Sequence, residues 1–111
     1  MAEKNWRDDD AFDIPETGEF AIYGTVYSAP EHADKVEAVY KETTKRAESE
    51  EGTIYYCISR DANDPSIFHF FERYKSKQAF EKHNDQKIIH DLVNSDWMKD
   101  VKAVFVRPIT S

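Results

Sequence analysis

The chain has little of what most cofactor and metal chemistry requires. Its 111 residues include one cysteine, three glycines and four prolines. Cys57 has no partner for an intrachain disulfide, and its apolar setting, Ile54-Tyr55-Tyr56-Cys57-Ile58, reads as a small buried hydrophobe rather than a nucleophile. Gly18, Gly24 and Gly52 lie too far apart to build a dinucleotide fingerprint or a phosphate-binding loop, and no GxSxG elbow occurs. The four histidines, His32, His69, His83 and His90, form neither HxxxH nor HExxH, so no metal site is expected. Positive charge is also scarce. Fifteen basic residues stand against 22 acidic ones, a formal charge of −7, with no Lys/Arg cluster, which argues against nucleic acid and anionic membranes as partners. No run is long and apolar enough to span a bilayer, and the charged opening Met1–Asp10 lacks the apolar core of a secretory signal. A cytoplasmic protein without flavin, heme or metal is the expectation.

What remains is dense in aromatic residues and regular in pattern. Residues 1–18, with Asp8, Asp9 and Asp10 and then Pro15 and Gly18, read as an acidic tail or as an arm that docks Trp6 and Phe12 on a partner subunit; residues 19–111 form the domain. Phe20–Ser28 alternates, placing Phe20, Ile22, Gly24 and Val26 on one face and Ala21, Tyr23, Thr25 and Tyr27 on the other. Pro30 opens a helix whose stripe is Val36, Val39, Tyr40, Thr43 and Ala47. Thr53–Arg60 and Ile67–Tyr74 are β-branched and aromatic runs joined by the turn sequence Asp61–Ser66, a hairpin. Ser76 is placed to cap a helix carrying Ala79, Phe80 and His83; Asn84 and Asp85 interrupt it before a second helical stretch ending near Trp97. Val101–Ile109 reads as a last strand.

The order β-α-β-β-α(α)-β is a ferredoxin-like α+β arrangement, one antiparallel sheet with helices on one face. The other face, with Tyr23, Tyr27, His69 and Phe71, is too apolar to meet water comfortably and predicts a homodimer.

The segment Phe70–Leu92, with Glu72 and Tyr74 ending a strand, a helix-starting Ser76 and then His83, resembles the antibiotic biosynthesis monooxygenase family, as does Gly52 followed by Tyr56. The resemblance covers residues 19–109 and implies a dimeric α+β barrel. It departs in two places: Tyr74 stands where the family usually has Trp, and Ile88 where many relatives carry a second histidine. Heme-degrading relatives use a strand-one Asn that would fall near Gly24. The resemblance implies a cofactor-independent monooxygenase acting with dioxygen on an electron-rich aromatic such as a polyphenol, anthrone or quinol. His83 would be the base and Tyr74 would orient the substrate oxygen, with Tyr56, Phe68, Phe70 and Trp97 around the ring. The same residues also suit proton-transfer isomerisation of a small carbonyl compound, or a non-catalytic dimeric binding or stress-response barrel with a structural His83. Glu72, on a covered strand, needs a hydrogen-bond partner, and the other acidic runs read as solvated surface.

Overall fold

The computed structural model describes residues 5–8 and 11–110. Four strands form one antiparallel sheet in the order β2-β3-β1-β4, with β1 Phe20–Ser28, β2 Thr53–Arg60, β3 Ile67–Tyr74 and β4 Met98–Val106. Helices α1 Ala33–Ala47, α2 Lys77–Asn84 and α3 Lys87–Val93 complete the expected ferredoxin-like order. Local chemistry sets the boundaries. Ser76 Oγ accepts from the Ala79 amide at 3.1 Å to start α2. Asp61 Oδ1 accepts from the amides of Asn63 and Asp64, each at 2.9 Å, to fold the hairpin turn.

Some boundaries differ from the sequence expectation. Pro30 opens a separate single turn of 3-10 helix, Pro30–His32, ahead of α1. β4 starts earlier than Val101, because Met98 pairs with Ser28 across a bulge, and it stops at Val106, before Pro108, which has no amide to donate. Trp97 is therefore not at the end of a helix: α3 stops at Val93, and the Trp97 carbonyl accepts from the Ala29 amide at 2.7 Å.

The inner sheet face and the helices enclose two buried clusters. One is built on Val26, Val36, Phe68, Leu92 and Met98; the other on Phe20, Ile22, Tyr74 and Phe80. Phe70 packs against both. The second is aromatic, with Phe80 edge-on to Phe20 at 5.7 Å and to Tyr74 at 5.1 Å between ring centroids. Two glycines permit close approaches that shape the interior. A Cβ on Gly24 would lie 1.9 Å from the Lys102 carbonyl oxygen of β4, so β1 admits no side chain there. A Cβ on Gly52 would lie 2.4 Å from Ala79 Cβ, and its absence lets α2 settle onto the start of β2.

The outer sheet face carries Tyr23, Tyr55, Phe71 and Val104, all exposed, with Tyr55 and Phe71 edge-on at 5.8 Å between ring centroids. Cys57, expected to be buried, is partly exposed on this face, because it pairs with Phe71 and so shares its side. His69 lies there too, bonded to Asp61 at 2.7 Å and Thr25 at 3.2 Å. Among the described residues no helix is long and apolar enough to cross a membrane.

Candidate active site

Between the two core clusters, helices and sheet leave a cavity of about 430 Å³, a size that holds a small ligand. Its walls are mostly apolar, from Ile22, Val26, Ile58, Phe70, Phe80 and Leu92 among others. Polar groups line it too: Thr43, Tyr56, Glu72 and His83 beside one another, with Arg7, Asn84, His90 and Asn94 elsewhere on its wall. Antiparallel register explains part of this. Glu72 on β3 pairs with Tyr56 on β2 and Ile22 on β1, so all three point to the helical side.

His83 ends α2 on its inward side and is 3 % exposed. Its Nδ1 lies 2.7 Å from Glu50 Oε1. Glu50 in turn accepts from Thr53 Oγ1 at 2.8 Å and from Gln86 Nε2 at 2.8 Å, while Gln86 Nε2 also donates to the His83 carbonyl at 2.9 Å. Partial burial raises the Glu50 pKa, but the bonds from His83, Thr53 and Gln86 and the attraction of His83 outweigh it and leave the carboxyl below its ordinary range. An ionised carboxylate only accepts, so the Nδ1 of His83 is the donor. Its Nε2 has no hydrogen-bond partner among the described residues.

Glu72 behaves in the opposite way. Dense surrounding protein pushes its carboxyl up to about 7, and the negative Glu50 adds to this; the hydrogen bond donated by the Tyr74 hydroxyl pulls the other way without cancelling it. Near neutrality the group is therefore shared between acid and carboxylate. The Tyr56 hydroxyl pairs with Thr43 Oγ1 at 2.8 Å, and the Tyr56 ring packs 4.9 Å from the His83 imidazole. Burial raises the Tyr56, Tyr40 and Tyr74 phenols, so all three stay protonated.

Of the residues singled out from sequence, the cavity brings together His83, Tyr56 and Phe70. Tyr74 does not line it. The ring is fully buried behind the wall, covered by Phe20 and Phe80; it packs 5.6 Å from the His83 imidazole and its hydroxyl donates to Glu72. Phe68 is likewise buried, its ring 5.5 Å from that of Tyr40 and tilted to it. Trp97 lies outside the cavity wall, against His32 at 5.8 Å and beneath the Lys35 ammonium. Glu50, which its acidic run Glu48–Glu51 would place on solvated surface, is instead the partner of His83. The only sequence signal for it is position, two residues before the Gly52 that admits α2. Among the described residues no group of three His, Cys, Asp or Glu side chains is arranged to hold a metal.

The fold and this inward-facing histidine define a class. The family model "Antibiotic biosynthesis monooxygenase" matches residues 20–95, and the chain belongs to that family. Solved structures agree on the fold. A protein from Pseudomonas aeruginosa is 18% identical, with 86% of this chain and 99% of that chain covered and a TM-score of 0.75. A candidate antibiotic biosynthesis monooxygenase from Caulobacter crescentus is 16% identical, covering 84% and 92%, with a TM-score of 0.72. A protein from Mycobacterium tuberculosis is 18% identical, covering 84% and 97%, with a TM-score of 0.70. No curated protein sequence matches the chain.

Proposed function

We propose that the protein is a cofactor-independent monooxygenase that oxidises an electron-rich aromatic, an anthrone, polyphenol or quinol, with dioxygen. The observation that carries this is His83, set in the wall of a mostly apolar cavity and tied from behind by Glu50. Dioxygen reacts slowly with closed-shell organic molecules, but a deprotonated phenol or anthrone can pass it one electron. The protein's part is to create that anion and shelter it. His83 Nε2 takes the proton, Glu50 stabilises the imidazolium, and Glu72, in its acid form, donates to the substrate oxygen. The aromatic walls hold the flat ring.

For an anthrone the atoms balance without a reductant. The carbanion gives one electron to dioxygen, the radical pair joins as a C–O bond, and His83 returns its proton to the peroxide. Loss of the second C–H proton then breaks the O–O bond, leaving a carbonyl and water. Oxygen uptake with a panel of anthrones and quinols, without added cofactor, tests this. One dioxygen consumed per carbonyl formed supports it. Proton exchange into a carbonyl substrate without oxygen uptake would instead favour an isomerase.

The working unit we propose is a homodimer closed through the outer sheet face, which carries Tyr23, Tyr27, Tyr55, Phe71 and Val104.

A further inference from the structure

The family match begins at residue 20, yet part of the cavity wall comes from before it: Trp6, Arg7, Phe12 and Ile14. This segment is fastened at both ends. Arg7 Nε donates to the Val93 carbonyl at 2.9 Å, and Nη2 to those of Met98 at 2.8 Å and Ser95 at 3.3 Å. These carbonyls cluster where α3 ends and β4 begins, and a planar cation with several fixed donors suits such a cluster. The same guanidinium lies 4.2 Å over the Trp6 ring, whose other contacts are with the core cluster built on Val26, Leu92 and Met98. At the far end Arg107 Nη1 donates to the carbonyls of Thr17 at 2.6 Å and Glu19 at 2.9 Å. Between the ends, Phe12 sits 6.3 Å from Phe105. A polar groove of about 500 Å³ lies between the start of this segment and Lys99–Lys102 of β4.

We propose that residues 5–8 and 11–18 serve as a strap across the cavity mouth and that Trp6 determines specificity by limiting the length of the ring system admitted. This rests on the cavity being the substrate site, as proposed above. The indole forms part of the cavity wall, and Arg7 holds it there by bonds to the carbonyls of Val93, Ser95 and Met98. Removing the indole lengthens the cavity, and removing the guanidinium frees the indole to move aside.

The test uses the full chain and binding rather than turnover. Calorimetric titration under nitrogen compares 1-naphthol, anthrone and tetracenone, a series of increasing ring number, on wild type, Trp6→Ala and Arg7→Gln. The proposal expects Trp6→Ala to raise the affinity for tetracenone relative to naphthol by about tenfold, and Arg7→Gln to shift it the same way by about threefold. An unchanged ratio in the variants overturns it. If Trp6→Ala fails to fold by circular dichroism, Arg7→Gln decides alone, since the Arg7 side chain is exposed and outside the core. Probe binding without oxygen uptake in any assay removes the monooxygenase reading and leaves the strap standing. No binding of any probe to any of the proteins overturns both.

Discussion

His83 Nδ1 and Glu50 Oε1 stand 2.7 Å apart, joining the end of α2 to the loop that leaves α1. The bond has the logic of a base oriented by a partly buried acid: one nitrogen is tied as a donor so that the other keeps its lone pair. Its geometry depends on the glycine beside it. Without the close approach of Ala79 to Gly52, α2 would stand further from the sheet and His83 further from Glu50.

The tautomer of His83 follows from this and is directly observable. Long-range proton–nitrogen correlation spectra should show Nδ1 protonated and Nε2 bare in the neutral ring. In Glu50→Ala that preference should relax toward the Nε2–H form usual for free imidazole. An Nε2–H ring in wild type would contradict the assignment of Glu50 as an ionised acceptor.

Glu72 makes stability depend on pH in a defined direction. Its carboxyl is raised from the ordinary range to about 7 in the fold. The folded state thus holds this proton more tightly than the unfolded chain, and the associated stability is full below the unfolded value and lost as pH rises through about 7. Glu72→Gln cannot ionise. Relative to wild type it should gain roughly 1–3 kcal/mol between about pH 5 and about pH 8, read as the difference of two urea titrations. A difference that stays constant with pH would mean that Glu72 is ionised throughout.

The outer face supplies a prediction about assembly. Tyr23, Tyr55, Phe71 and Val104 are each more than two-fifths exposed in the single chain, an apolar surface centred on the sheet. Sedimentation velocity should give a dimer at micromolar concentration. Phe71→Glu, which puts a charge in the middle of that face, should yield a folded monomer. A monomeric wild type would leave this surface without the role proposed for it.

Much of the fold was legible because its periodicities are local. The alternation of Phe20–Ser28, the hairpin turn at Asp61–Ser66 and the Ser76 cap each state their structure within a few residues. The site was legible in part. His83 and Tyr56 face inward by the helical and strand periods that sequence displays. Glu50 was not, since its contact with His83 depends on an α2–β2 approach that no local pattern encodes, and an acidic residue in an acidic run looks solvated. Tyr74 and Phe68 share Glu72's strand face, as alternation says, but the cavity ends before either of them. Face is set by period, whereas the reach of a cavity along that face is set by how helices pack over it. Trp97 was displaced from the site for a similar reason: the chain leaves α3 early, and the turn carries the indole to the far side of α1's first turn.

The chemical role of the pair is tested by removing each member in turn. His83→Ala should lower turnover of a responsive aromatic substrate by about two to four orders of magnitude, the range for loss of a general base. Glu50→Gln keeps a side chain of the same shape but gives up the charge that favours the imidazolium. It should lower turnover by less, about one to two orders of magnitude, with KM little changed because Glu50 does not line the cavity. The double variant should be no slower than His83→Ala, since Glu50 acts only through the ring. Circular dichroism of all three proteins serves as the folding control. Equal rates in folded wild type and His83→Ala would end the case for His83 as base. Additive losses in the double variant would show that Glu50 works on the substrate by some route other than His83.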